Sequence, residues 1–530
     1  MNIKDEVVFY NITPFKETED IKDRCNIDYI EKELKKLFPD DVFAVKSAII
    51  NESGKYQSKA NAIEKALPFL AQLKGLPSYC DVRISLKTGD FYEDIIVWSP
   101  LKWNERFLGT CGGGTSTGGT GYFGKPDNTA RGTTVPYAIM NGFSSATADA
   151  GNVTGFDDRM IDPESGEIRK ELYENWRHRA TNDMARFGKA VTEILHNKKI
   201  KYSYLNGGSG GGRQCITQVQ EYPDSFDGVW ASCPAINWCK FVPAGYFILS
   251  VIHHYGNTLT SEKIKYISQK VRDSVGGDDK YYKLTERVDF DALSLVGKKT
   301  KGGIITDNDA RAMNEIWNGP VRKNGERLWY SFYPGGTFWN VGIPVGAFYY
   351  SLFRKKAKPF YLSTVYLRWV TRDTKWKCDS ITKDEFERLF DESVRLFGDS
   401  ASDKADLTEF AKHGKLMLDH GTDDPLIPVD GSIDYYKKVC SLMGKDKTEE
   451  FFKLFIMPGD SHGNCRGKGG GMTAAEGLKA LMNWVENGIE PKTVETVRVN
   501  MKGDLLAKGK QDAYKVNQYI LSVAEARTSI

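Results

Sequence analysis

Apolar positions recur along this chain at two spacings, and the alternation between them lays out the fold. Ile30 to Leu37 carries them at helical spacing, while the apolar stretch 41–50 and the segments Val82–Leu86 and Phe91–Trp98 read as strands. Gly142–Ala150 reads as another short strand. Asn182–His196 has apolar residues three and four apart, which predicts a helix, and it leads directly into Tyr202-Ser203-Tyr204-Leu205, a run suited to a buried strand. That run breaks into GGSGGG over 207–212, and a polar helical segment starts at Arg213. Lys415–His420 and Phe451–Met457 are two further strand-length apolar runs, each followed by a loop rich in Gly, Pro and Asp. Strands alternating with helices predict an α/β protein built on a doubly wound, mostly parallel sheet. Between about 240 and 400 the pattern changes. Aromatic residues are dense there, among them Trp238, Phe241, Tyr246, Phe247, Trp329, Tyr330, Phe332, Tyr333, Phe338 and Trp339, mixed with polar loops and Pro334-Gly335-Gly336. This predicts an inserted lid over residues 240–400, with 1–239 and 401–530 forming one catalytic domain and residues 1–100 its sheet-edge extension.

Length and charge narrow the picture without naming a partner. The 530 residues suffice for a large core around one sheet with insertions. With 73 basic and 70 acidic residues the net charge is +3, so no nucleic-acid footprint is expected. The longest apolar tract, Val341–Phe353, contains Pro344 and is too short to span a bilayer, so no membrane partner is expected either. The start, MNIKDEVVFYNITPF, has acidic residues by position 5 and no secretory apolar core. Nine cysteines without a CxxC pair fit reduced thiols, and the expected location is cytoplasmic.

The chemistry concentrates at the ends of the predicted strands. Strand, sharp glycine turn and helix around Gly207-x-Ser209-x-Gly211 form the plan of a nucleophile elbow, in which a strained turn exposes the serine hydroxyl. The Gly210 amide, at the start of the following helix, can donate to an oxyanion. A dinucleotide fingerprint beginning at Gly208 is excluded because Arg213 stands where its last glycine belongs. A second glycine-rich loop, within 106–124, follows a strand and can supply another bare backbone amide. Gly119–Lys125 matches a phosphate loop in spacing, but Pro126 occupies the place of the metal-binding Ser or Thr. For an acid, Asp419, Asp423 and Asp424 cluster near the end of the strand 415–420, and the loop beyond the strand leaves Asp423 and Asp424 as candidates. For a base, His462 lies in PGDSHG after the strand 451–457 with glycines on both sides, whereas His178, His196, His253 and His254 lie on helices and His413 and His420 flank the strand of the acid. Serine, acid, histidine is the chain order of an α/β-hydrolase.

These stretches resemble the tannase and feruloyl esterase family of α/β-hydrolases from about Trp103 to Asn487. The likeness is carried by NERFLGTCGGG, GGSGGGRQ with YPDSFDGVWASCPA, HGTDDPLI with IDYY, and MPGDSHGNC. It implies Ser209 as nucleophile, Asp424 as the acid, His462 as base, and oxyanion amides from Gly210 and Gly113. It further implies a small aromatic ester, of the feruloyl or galloyl kind, as substrate, and no organic cofactor. The other functions open to such a chain are a general carboxylesterase, an acyltransferase on the same three residues, and a non-catalytic ligand-binding member. Two departures from the family pattern stand out. Gly208 and Gly463 occupy the places of two cysteines that many members bridge, and Cys465 lies two residues further on. The family's lid calcium loop corresponds to VRDSVGGDDKYY at 271–282, where Asp273 is kept but Gly276 and Lys280 stand near the places of the other aspartates, so no metal is expected.

Overall fold

The computed structural model describes residues 15–57, 72–114, 134–151, 158–336, 338–341, 348–350, 357–359, 361–378, 380–463, 465, 467–500 and 504–516. The phosphate-loop match at Gly119–Lys125 lies outside them. An N-terminal helix, α1 (Ile27–Leu37), is capped by Asn26, whose side chain accepts from the Tyr29 amide, and buries Ile30 and Leu34. Strands β1 (Phe43–Asn51), β2 (Tyr79–Thr88) and β3 (Phe91–Pro100) pair antiparallel in sequence. Then come β4 (Arg106–Thr110), β5 (Ser144–Ala148), the helix α2 (Ala180–His196), β6 (Tyr202–Gly208), the helix α3 (Gly210–Glu221) and β7 (Gly228–Ser232). After the insertion the sheet resumes with β8 (Lys415–Gly421), α9 (Asp430–Met443), β9 (Phe452–Met457) and α10 (Ala474–Asn487), α4 to α8 being the helices of the insertion described below.

These nine strands form one sheet in the order β1-β2-β3-β5-β4-β6-β7-β8-β9. From β5 across to β9 every pairing is parallel, and only the N-terminal edge is antiparallel. The protein is thus an α/β-hydrolase-type sheet, mostly parallel and doubly wound, as expected. The strand before α2, β5, does not lie beside β6, because β4 pairs with both and sits between them.

The central strands are apolar on both faces, which is what a parallel sheet covered by helices on each side requires. Alternate residues go to opposite cores. Leu205, Val229, Leu418 and Leu454 join one core with Phe187 and Val191 of α2 and Ile216 of α3. Their neighbours Tyr204, Trp230, Met417 and Phe455 join another with Leu478 and Leu481 of α10. The two-residue period of the strand therefore fixes register, since a slip by one residue would exchange these two sets. In α2 the buried Met184, Phe187, Val191 and Leu195 fall three or four apart, and the helix ends at Asn197 in the left-handed conformation, φ 46°.

A third core belongs to the inserted region. There α4 (Trp238–His254), α5 (Ser261–Ser274), α6 (Asp307–Asn318), α7 (Tyr361–Thr371) and α8 (Lys383–Phe397) pack around Tyr246, Ile264, Ile316, Tyr366 and Trp369. Met160, Ile161, Leu172 and Trp176, from before β6, join the same core. Trp176 meets Trp238 and Trp369 edge-on at 5.5 and 5.6 Å between ring centroids. Many of the aromatics of the insertion thus serve its own packing.

Candidate active site

The site is built where β6, β7, β8 and β9 end, at the carboxyl edge of the parallel sheet. Ser209 stands between β6 and α3 with φ 60° and ψ −123°, a conformation a non-glycine residue adopts only under constraint. The constraint is visible. Its amide donates to the Ser232 carbonyl at 3.0 Å, and its carbonyl accepts from the amides of Arg213 at 3.1 Å and Ala235 at 2.9 Å. The helix starts at Gly210, three residues before the position at which its polar pattern begins, so Ser209 is the cap residue of α3. The glycine loop after β4 lies directly against that start. A β-carbon on Gly210 would stand 2.2 Å from the Gly114 carbonyl oxygen, and one on Gly211 2.5 Å from that of Gly112. The backbone around Gly113 and the first turn of α3 are therefore in contact, side by side at the serine.

Asp424 and His462 come together from the loops after β8 and β9. His462 Nδ1 lies 2.7 Å from Asp424 Oδ2. The other carboxylate oxygen, Oδ1, accepts from the amides of Leu426 at 2.8 Å and Ile427 at 3.0 Å. Burial pushes the Asp424 carboxyl up, but the two histidines beside it, His462 above all, hold it well below the usual carboxylate range. Burial likewise pushes the His462 imidazole down, and the Asp424 charge, with a contribution from Cys233, raises it to about 10 from 6.5. Asp423 is placed differently. Its amide donates to the Asp460 carbonyl at 3.1 Å, and its carboxylate lies beside Gly336, where its charge acts on the Tyr281 hydroxyl. Asp419 accepts from Trp230 Nε1 at 2.7 Å and from the Ser232 hydroxyl, within the sheet.

Two residues at this site were given no role in the sequence reading. His420, fully buried, puts Nε2 3.2 Å from Asp424 Oδ2 and Nδ1 2.8 Å from Ser432 Oγ, so one carboxylate oxygen is shared by two imidazoles. Its only sequence signal is its place four residues before Asp424, at the strand end. Cys233, at the end of β7, is the other. Its thiol lies with Asp424 and His462 in a group whose ligand atoms are all within 4.8 Å of one another. Replacing His420 by alanine is expected to lower kcat by roughly 10- to 100-fold through a misplaced Asp424, with KM little changed. Steady-state kinetics beside a thermal melt would check this, and an unaltered kcat in a folded protein would show that the two amide donors position the acid alone.

Ser209 opens onto a cavity with about 630 Å³ of unfilled space, its mouth included. Phe241, Phe247, Tyr330, Phe332 and Leu362 line it from the insertion, and Leu426 and Ile427 from the loop of the acid. No acidic or basic side chain lines it among the described residues. Of the aromatics noted in the sequence, Trp238, Phe241, Phe247, Tyr330 and Phe332 reach this cavity, whereas Tyr246, Trp329 and Phe338 pack in the insertion's core. The side chain of Trp339 lies outside the described residues.

The two departures in sequence have structural counterparts. No disulfide joins the cysteines among the described residues, and Cys465 Sγ donates to the Met472 carbonyl at 3.2 Å. In the segment 271–282 Asp273 pairs with Lys270 at 2.8 Å and Asp278 with Arg272 at 2.8 Å. Lys280 packs against Gly276. This donor set carries its own cations and does not fit calcium, which takes six to eight oxygens.

Comparison with known proteins gives a consistent result. The family described as "Tannase and feruloyl esterase" matches residues 92–520. A protein of Arthroderma benhamiae named "Probable feruloyl esterase" is 31% identical over 449 residues, which cover 80% of this chain and 79% of that protein. Among solved structures, a tannin acyl hydrolase from Aspergillus niger superposes with a TM-score of 0.75 at 19% identity, covering 94% of this chain and 93% of the other. Feruloyl esterase B from Aspergillus oryzae gives 0.72 at 22% identity, covering 93% and 96%. At those identities the two structures speak for the fold.

Proposed function

We propose that this chain, which belongs to the tannase and feruloyl esterase family and is a carboxylic ester hydrolase, cleaves esters of phenolic or hydroxycinnamic acids with Ser209 as nucleophile, His462 as base and Asp424 as its acid partner. The observation that carries the reading is Ser209 on a strained strand-to-helix turn at the mouth of an uncharged, aromatic-lined cavity. In this proposal His462 takes the proton of the Ser209 hydroxyl as its oxygen attacks the ester carbonyl carbon. The amides of Gly210 and Gly113 hold the resulting oxyanion. The intermediate collapses with return of that proton to the leaving alcohol, and water then repeats the attack on the acyl-serine, releasing the acid. Asp424 fixes the imidazole and offsets the charge it acquires. The cavity formed by residues 240–400, acting as a lid, holds the aromatic ring. No metal or organic cofactor enters any step. Nine cysteines without a disulfide among the described residues support a reducing, cytoplasmic setting.

A panel of methyl ferulate, methyl gallate, chlorogenate and p-nitrophenyl butyrate tests the substrate class. A kcat/KM for an aromatic-acid ester above that for the butyrate is expected, and the reverse order would make this a general carboxylesterase. Labelling by a fluorophosphonate, abolished in Ser209→Ala, separates an enzyme from a ligand-binding member. Product partitioning with added alcohol separates hydrolysis from acyl transfer.

The pH profile follows from the Asp424–His462 pair. Only neutral imidazole can accept the serine proton, and its value in the free protein is raised from 6.5 to about 10. Log kcat/KM is therefore expected to climb with pH across neutrality and to level off only in the alkaline range. Asp424→Asn removes the charge that holds the proton, so its limb should return toward 6.5 with a much lower plateau. A wild-type plateau already reached at pH 6.5 would overturn this account of the pair.

A further inference from the structure

Cys233 has no part in the reaction above, yet its position is unusual. It follows β7 directly, is fully buried, and holds φ 34°, a left-handed conformation that favours glycine. Its amide donates to the Asp419 carbonyl at 2.6 Å, which pins that backbone between β7 and β8. The strained turn carries the thiol to the acid and the histidine, and the sulfur, an imidazole nitrogen and a carboxylate oxygen all lie within 4.8 Å of one another. Two of the three groups are buried, and the His462 side chain is 18% exposed, which leaves one open approach.

We infer that Cys233, His462 and Asp424 form a binding site for a soft divalent cation such as Zn²⁺ or Cd²⁺, and that filling it stops ester hydrolysis. Thiolate, imidazole and carboxylate together are a zinc-type donor set, with bonds of about 2.0–2.3 Å and a tetrahedral arrangement that leaves a fourth place for water. Donor atoms around such an ion stand roughly 3–4 Å apart, so the group needs only a small contraction. Mg²⁺ and Ca²⁺ are excluded by the sulfur and by the small number of oxygens. On binding, the Sγ–H bond breaks and the metal–sulfur bond forms, and the thiol proton and any proton on the coordinating imidazole nitrogen leave to solvent. With its Asp424 contact or its lone pair taken by the metal, His462 can no longer accept the serine proton. That inhibitory half of the inference rests on the function proposed above, whereas the binding half does not.

The test uses the whole chain and Co²⁺, whose bond to a thiolate gives a charge-transfer absorption. Titration of the unaltered protein and of Ser209→Ala should both show this band at one ion per chain. Cys233→Ala should lose it, and Cys233→Ser, which keeps the size of the side chain, should lose it too. Zn²⁺ should inhibit hydrolysis by the unaltered protein, and Cys233→Ala should need on the order of 10- to 100-fold more Zn²⁺ for the same fractional inhibition, each protein being compared with its own metal-free rate. Mg²⁺ should do nothing. Absence of the band, or equal Zn²⁺ sensitivity in Cys233→Ala, would overturn the site and leave the proposed hydrolysis untouched. A cobalt–thiolate band that depends on Cys233, together with undiminished hydrolysis, would support the site but overturn the inhibition and His462 as the base.

Discussion

Ser209→Ala is expected to lower kcat by on the order of 10⁴-fold or more, with little change in stability, because the hydroxyl it removes lies at a cavity mouth and forms the covalent bond in the proposed reaction. His462→Ala should cost about as much. The double variant should be scarcely worse than either single one, since residues that act as one unit in a step cannot be lost twice. The same logic separates the two neighbouring acids. Asp424 contacts His462 at 2.7 Å and should behave as a member of the unit, whereas Asp423 faces Gly336 and Tyr281 and its alanine variant should be far milder. Rates measured on one aromatic ester for all five variants decide the matter. Near-normal turnover in Ser209→Ala would sink the proposed nucleophile, and a larger loss from Asp423 than from Asp424 would reassign the acid.

Gly210→Ala should be nearly as damaging, for a steric reason. The added carbon would stand 2.2 Å from the Gly114 carbonyl oxygen, and both atoms belong to or are fixed by backbone, so no side-chain rotation relieves the overlap. The glycine loop or the first turn of α3 must move by roughly 1 Å, and misplacement on that scale costs about 10²-fold. Because the moved amides are also the proposed oxyanion donors, a further loss of about 10²-fold is expected, with KM less affected than kcat. Overpacking should add about 1–3 kcal/mol of destabilisation. Gly398→Ala serves as the control. Its φ is −59° and nothing lies within 4 Å of the added carbon, so activity and melting temperature should be unchanged or slightly improved. A Gly210→Ala enzyme with normal kcat would show that the loop and helix can part without harm and that the oxyanion is held elsewhere.

Both expectations turn on features of unequal visibility in the chain. The serine turn was legible because its determinants are local: an apolar run, glycines at fixed offsets and a helix, all between Tyr202 and Glu221. The strands β6, β8 and β9 were legible for the same reason, as short apolar runs closed by turn residues. The two-residue period then determined which side chains face which core, Leu205 one and Tyr204 the other. Sequence alone also placed His462 on a glycine-flanked loop after a strand and narrowed the acid to two neighbours.

The rest was decided in three dimensions, because it depends on residues distant in the chain that the sheet order brings side by side. Periodicity could not tell Asp423 from Asp424, which share a loop. What distinguishes them is that Asp424 meets a histidine 38 positions away and two amides that fold back onto it, and the resemblance had to supply that choice beforehand. His420 read as a flanking strand residue until its ring was seen against the same carboxylate oxygen. Cys233 stood in the sequence as one of nine reduced cysteines, since nothing nearby says that the end of β7 adjoins the loops after β8 and β9. Nor could the aromatics of the insertion be sorted one by one: an aromatic side chain has the same preference for burial whether it packs in the core, as Tyr246 does, or lines the cavity at Ser209, as Phe241 does. Local chemistry and spacing wrote the strands, the turn and the serine into the sequence. The acid, its second histidine, the thiol and the shape of the cavity came from strand order and packing, because contacts between chain segments are set by the minimum of the whole fold and not by the preference of any one segment.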